Sequence, residues 1–318
     1  MKQIPIRKPR RLSRGDTLGI IAPASSGSPE TASSGKRWLE SQGFAVEFGK
    51  HAADRQGYLA GADEARAADL HDMFSSPHIQ GIICLRGGYG TMRLLDLLDY
   101  NLIAAHPKVF VGYSDITALH TAIGQRTGLV TFHGPMLESD LAQEIPAYTS
   151  QYFLQALTGL APLGLIGNPP QTYSASFIVP GMAEGRLTGG NLSLIAATMG
   201  TPYEIDSTDK ILCLEDVGEA PYRIDRLLTQ LLLGGKLQSA AGIVVDVFAG
   251  CDDEGGNNSV TVEEVLHDRL GNLDKPVLMN LHFGHTADKV TLPFGIKARL
   301  ETTEGGLVIT ETATADQD

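Results

Sequence analysis

Short apolar runs alternate with amphipathic stretches through the first half of the chain. TLGIIA (17–22), FAVEF (44–48), GIICL (81–85), VFVG (109–112) and LVTF (129–132) have the length and β-branched content of buried strands. Helical patterns lie between them. Ser28-Pro29-Glu30 carries the start signals of a helix: a serine at the N-cap, a proline in the first turn and an acid against the dipole. That helix bears Trp38 and Leu39 and stops at Gly43. Ala67, Leu70 and Phe74 share one face of a helix over about 62–75, and TMRLLDLLD (91–99) and ITALHTAI (116–123) predict two more. Strands alternating with helices predict right-handed crossovers and a mostly parallel sheet covered on both faces.

The pattern breaks at 159–176, GLAPLGLIGNPPQTYSAS, which is rich in Gly, Pro and Ser and has no sustained helical period. Two domains are therefore expected, 1–165 and 166–318, in line with about two domains for 318 residues. The second half is more mixed. GRLTGGNLSLIAATMG predicts a strand, a turn and a helix; KILCLEDV and GIVVDVF predict strands; YRIDRLLTQLLLGG and VEEVLHDRLG predict helices. VLMN, KVTLP, KARLE and GLVIT are short strands near the end.

Charge narrows the partners. Lys plus Arg number 25 and Asp plus Glu 37, a net charge of −12. Nucleic acid and anionic membranes need a basic face, so neither is an expected partner, although a local basic pocket for an acidic small molecule remains open. No apolar run approaches the ~18 residues of a membrane span, and the basic N-terminus lacks the apolar core of a secretory leader. Cys84, Cys213 and Cys251 form no metal or disulfide spacing. Cys84 and Cys213 sit in apolar runs as small buried thiols, which favours a reducing cytoplasm.

Several segments carry groups with chemical potential. In VFVGYSDITALH a strand turns sharply into a helix, which lifts the Ser114 hydroxyl to a helix N-terminus; as a plain cap, Ser114 or Asp115 suits the same position. Arg86-Gly87-Gly88 and Gly90 lie between a strand and a helix, where glycines turn backbone N–H groups towards a ligand or simply make a tight turn. Both segments follow strand C-termini, the edge where open parallel sheets bind ligands. Glu215 and Asp216 end another apolar strand, placed to orient a histidine or to pair with Arg223 or Arg226. His282 and His285 stand three apart in a loop. They lack the carboxylate of a recognised metal pattern, and a histidine beside glycine suits a mobile general base. His133 ends a strand where it can line a site, and His120 reads as packing. Asn191, after Gly189-Gly190, serves equally as a helix cap or a substrate contact.

Seven segments in one order, GDTLGIIAPAS, LRGGYGTMRLL, VGYSDITALH, TFHGPM, GRLTGGNLSL, CLEDVGEAPYRIDR and GHTADKVTLPFG, resemble the muramoyl-tetrapeptide LD-carboxypeptidases, a family that also includes microcin-immunity peptidases. The resemblance covers about 15–302. It implies a flavodoxin-like parallel-sheet N-terminal domain and a smaller, mixed β-rich C-terminal domain. It also implies a serine nucleophile at Ser114, a general base at His285 and an orienting carboxylate at Glu215. Backbone N–H groups near Gly88 and Asp115 would meet the oxyanion, with no metal or organic cofactor. The implied activity is release of terminal D-Ala from murein tetrapeptides by a cytoplasmic homodimer. Microcin-immunity members instead cleave acyl-sulfamoyl adenylates and stack the adenine on a tryptophan in a longer loop after the GGNL helix. Here that stretch is short, and the only tryptophan, Trp38, lies in an N-terminal helix. A non-catalytic muropeptide- or nucleotide-binding protein would have lost a triad position, and none is missing.

Overall fold

The computed structural model describes residues 4–170, 172, 174–252, 260–303 and 305–316. Its first unit runs β1 (Thr17–Ile21), α1 (Pro29–Ser41), β2 (Ala45–Phe48), α2 (Asp63–Ser75), β3 (Ile79–Cys84), α3 (Tyr100–Ala105), β4 (Val109–Gly112), α4 (Thr117–Thr127), β5 (Thr131–His133) and α5 (Ala147–Thr158). The parallel strands stand in the order β2-β1-β3-β4-β5, the flavodoxin-like winding that the resemblance implies. β1, β3, β4 and β5 are buried because helices cover both faces, whereas β2 is the largely exposed edge strand. Ile83 and Leu85 pack on the side of α1 and α5, while Ile82 and Cys84 pack on the side of α2, α3 and α4.

The second unit comprises β6 (Gly164–Ile166), β7 (Ser176–Val179), β8 (Met182–Asn191), α6 (Leu192–Thr198), β9 (Lys210–Glu215), α7 (Pro221–Leu233), α8 (Lys236–Ser239), β10 (Gly242–Val245), α9 (Val262–Leu270), β11 (Val277–Met279), β12 (Leu292–Phe294), β13 (Lys297–Glu301) and β14 (Gly306–Ile309). Its sheet is mixed and eight-stranded, β6-β14-β13-β8-β9-β10-β11-β7. The four central strands β8 to β11 are parallel, and antiparallel strands flank them. Leu212 and Leu214 of β9 face α6, α7 and α9, whereas Ile211 and Cys213 join a core that continues into α1 and α5.

One strand departs from the sequence expectation. β12 leaves the second sheet and pairs antiparallel with β5, as the sixth strand of the first sheet. The chain then returns to the second sheet at β13. Residues 280–291, which hold both loop histidines, thus form a crossing between the two sheets.

Local differences have local causes. The expected helix 91–99 is a 3-10 turn, Thr91–Leu94, followed by a separate α3. Asp99 starts α3 by accepting hydrogen bonds from the N–H groups of Asn101 (2.9 Å) and Leu102 (3.0 Å). Gly189-Gly190 is not a turn; β8 runs through both glycines to Asn191. Ser28 holds the N-cap position of α1 without a side-chain cap bond. Cys84, Cys213 and Cys251 are free and buried, and no helix among the described residues is long and apolar enough to cross a membrane.

Candidate active site

β4 ends at Gly112, and the chain then turns within two residues into the 3-10 turn Ser114–Ile116 and α4. Ser114 takes φ +63°, an uncommon left-handed conformation for a residue with a β-carbon, and this is the strained elbow that exposes a serine at a sheet edge. The neighbouring turn after β3 comes close enough to exclude any side chain at Gly87. A β-carbon there would lie 2.9 Å from Ser114 Cβ and 3.1 Å from Ser114 Oγ. Asp115 ties the two turns together: its carboxylate accepts a hydrogen bond from Thr91 N (2.9 Å), and its carbonyl accepts one from the Thr91 hydroxyl. Burial raises the Asp115 pKa, and the Thr91 bonds oppose the rise. Gly88 is exposed, beside Ser25, whose hydroxyl accepts a hydrogen bond from Tyr89 N.

Arg86, in the same turn, makes no ion pair among the described residues, and its Nε is buried without a hydrogen-bond partner. Two acids of the first unit are engaged elsewhere: Asp115 with Thr91, and Asp96 with the Tyr203 hydroxyl.

On the opposite side, the parallel strands β8, β9 and β10 end in Asn191, Glu215 and the residue after β10, Asp246. Asn191 lies level with Glu215, and its N–H donates to Thr117 Oγ1 of α4 (2.9 Å), so the C-terminal edge of β8 touches the serine elbow. The Asn191 side chain caps α6 at Leu194 N (3.2 Å) and donates to Asp216 (3.0 Å). Of its two readings, the structure shows the cap. Asp216 accepts from Asn191, Val217 N and both the N–H and hydroxyl of Ser193. It therefore holds this strand end together and faces neither Arg223 nor Arg226; Arg223 pairs with Glu219.

Glu215 is fully buried, and its Oε2 lies 2.6 Å from His285 Nδ1, a short charge-assisted contact. Glu215 Oε1 has no partner. The His285 ring stands edge-to-face against Tyr113, the residue before Ser114, with centroids 4.9 Å apart. His282 is buried nearby, and burial lowers its pKa against an opposing interaction with the Asp288 backbone. His133 is fully buried among Tyr113, Phe283 and Phe294, and His120 packs behind it against Gly112 O (2.8 Å).

Three groups that sequence reasoning passed over fasten the His285 loop. Asp246 accepts from Phe283 N (3.1 Å) and Gly284 N (2.8 Å). A β-carbon on Gly284 would strike Asp246 and Glu215 at 2.4 and 2.7 Å, so glycine is required between the two acids. Thr149 of α5 donates to Ala287 O (3.2 Å) and accepts from Lys289 N (2.9 Å). Lys289, 2% exposed, pairs with Asp140 and donates to the Tyr113 hydroxyl (3.1 Å). Only Asp246 left a signal in the sequence: like Glu215, it is a carboxylate ending an apolar strand.

Two family models match this chain: the LD-carboxypeptidase N-terminal domain over 18–134 and the LD-carboxypeptidase C-terminal domain over 184–300. A probable murein peptide carboxypeptidase of Bacillus subtilis is 44% identical over 308 residues, covering 95% of this chain and 94% of its own length. The crystal structure of muramoyltetrapeptide carboxypeptidase from Oxalobacter formigenes superposes with a TM-score of 0.83 at 33% identity, covering 93% of this chain and 99% of that one. The microcin C7 self-immunity protein in complex with aspartyl sulfamoyl adenosine superposes with a TM-score of 0.89 at 28% identity, covering 97% of this chain and all (100%) of that one.

Proposed function

The chain belongs to the LD-carboxypeptidase family, and on that footing we propose that it is a serine carboxypeptidase releasing the terminal D-Ala of murein tetrapeptides. The observation that carries the reading is the buried Glu215–His285 contact of 2.6 Å, set against the elbow that holds Ser114. Ser114 Oγ attacks the carbonyl of the diamino acid while His285 Nε2 takes its proton. Glu215 fixes the imidazole through Nδ1 and stabilises the imidazolium. Backbone N–H groups of Gly88 and Asp115 receive the oxyanion. The imidazolium then protonates the departing D-Ala amine, and a water activated by His285 releases the acyl group. Arg86, with its buried unbonded Nε, is the group for the substrate's free carboxylate. The same reading makes the protein a cytoplasmic homodimer in murein recycling.

Likeness to the sulfamoyl-adenosine complex supports a second reading, cleavage of acyl-sulfamoyl adenylates. Against it, Trp38 is packed edge-on against Phe153 (5.9 Å) in the core of the first unit, where it offers no platform to adenine. Incubation with murein tri-, tetra- and pentapeptides and an acyl-sulfamoyl adenylate, read by mass, separates the two. The expected result is D-Ala release from the tetrapeptide alone, lost in Ser114→Ala. Turnover of the adenylate with none of the peptides would overturn the assignment.

A further inference from the structure

Lys289 lies four residues beyond His285 in the crossing segment and is 2% exposed. Among the described residues its ammonium has three connections, all to the first unit. It pairs with Asp140 of the π-helical turn Leu137–Leu141, donates to Tyr113 Oη (3.1 Å) and stands 4.4 Å from the centre of the Tyr113 ring. Tyr113 Oη in turn donates to Asp140 (3.3 Å), which closes a three-membered network. The other side of that network is the active centre: Tyr113 precedes Ser114, and its ring rests against His285 at 4.9 Å. The elbow that carries the nucleophile and the loop that carries the imidazole therefore meet at one buried cation.

From this network we propose that Lys289 is a positioning residue, which with Asp140 and Tyr113 clasps the His285 loop against the Ser114 elbow. The proposal rests on the reading of His285 as the base for Ser114. Glu215 and Asp246 hold the loop from the second unit only. Thr149 also reaches it from the first unit, but at backbone atoms of Ala287 and Lys289. The Lys289 ammonium is the link that reaches the residue adjoining the nucleophile. A shift of about 1 Å between base and nucleophile costs on the order of 100-fold in rate, so the clasp acts on kcat more than on binding.

The test uses the full-length protein and acylation by p-nitrophenyl acetate, which reports the Ser114–His285 pair whatever the natural peptide is. Lys289→Met alone would strand a buried carboxylate and endanger folding, so the informative variant is K289M/D140L, which leaves no unpaired charge. It should fold with a somewhat lower melting point, because Asp140 also accepts from Met136 N (2.9 Å), and acylate about 100-fold more slowly with unchanged KM. Tyr113→Phe, which keeps the ring against His285, should lose less. In a His285→Ala background K289M/D140L should leave the residual rate unchanged, because the clasp acts through the imidazole. Wild-type acylation by folded K289M/D140L, or an equal loss in the His285→Ala background, would overturn the clasp alone. His285→Ala acylating as fast as wild type would overturn the base assignment and the clasp with it.

Discussion

Replacing Glu215 by glutamine removes one charge and almost no volume, so its effect can be worked from the site itself. The carboxylate is fully buried and lies 2.6 Å from His285 Nδ1. Its other oxygen has no partner among the described residues, Asp216 is committed to Asn191, Ser193 and Val217, and Asp246 is committed to Phe283 N and Gly284 N with burial raising its pKa, so neither acid takes over at Nδ1. The new amide either offers oxygen to Nδ1–H, a neutral bond roughly half as strong, or turns its NH2 to Nδ1 and fixes the wrong tautomer. Breaking one side of a buried ion pair costs about 3–5 kcal/mol. In the transition state, where the imidazole is cationic, that loss becomes barrier, and at about 1.36 kcal/mol per decade it predicts a fall in kcat of about 10²–10⁴. Rates of D-Ala release from murein tetrapeptide, measured by mass, check this beside thermal melts. Asp216→Asn is the contrast, expected to lower stability and leave kcat within a few fold. A Glu215→Gln enzyme that folds normally and keeps more than a tenth of wild-type kcat would refute the orienting role.

Two further outcomes follow from other parts of the site. If Arg86 grips the substrate carboxylate, amidating the terminal D-Ala should cost about 2–5 kcal/mol in kcat/KM, and Arg86→Ala should erase most of that difference; equal cleavage of both substrates by the wild type would remove the clamp. Burial lowers the His120 pKa from 6.5 to about 4, so between those values the unfolded chain binds a proton that the folded one does not. Stability should fall by about 3 kcal/mol as pH drops through that window, with His133 adding in the same direction, and urea midpoints at pH 7 and pH 5 should differ less in His120→Gln than in wild type.

What the sequence made legible was whatever a short segment encodes by itself. The elbow at Ser114, the strand ending at Glu215 and the glycine beside His285 are local patterns, each tied to a turn or strand end. Four strands of the first unit, β1, β3, β4 and β5, were readable because burial on both faces leaves apolar runs; the exposed edge strand β2 was readable from its alternation and the glycine before it. The crossing at β12 was not, because Leu292-Pro293-Phe294 is equally apolar whichever sheet it joins, and only its pairing with His133, Phe132 and Thr131 decides. Lys289, Asp140 and Thr149 were invisible for the same reason: their partners lie 149 and 140 residues away, and a lone lysine before Val290-Thr291-Leu292 reads as the solvated end of a strand. The 91–99 segment misled because its leucines have helical spacing, while Asp99 caps a later helix and Asp115 draws the Thr91 N–H aside.

The placement of charge gives the site a direction. Behind His285 stand Glu215 and Asp246, both buried, on either side of Gly284. Burial first, and the Glu215 charge second, raise the Asp246 pKa well above the carboxylate range, so this pocket resists further negative charge and favours a positive one. On the proposed reading, that is the field into which the Ser114 proton moves when the His285 imidazole becomes cationic. Lys289 does not cancel it, because its charge is matched by Asp140. On the Ser114 side stand Arg86, which makes no ion pair among the described residues, and the glycine turn; on the proposed reading these meet the substrate carboxylate and the oxyanion. On the proposed reading, an acidic protein of net charge −12 would take an anionic peptide at this local donor-rich edge, with the negative groups behind His285. Electrostatic preorganisation of this kind acts only if the two edges keep their spacing, and they come from different sheets. The crossing segment is anchored in the first sheet at β12 and in the second at β11 and β13, so on the proposed reading it carries the base where both sheets fix its spacing from Ser114.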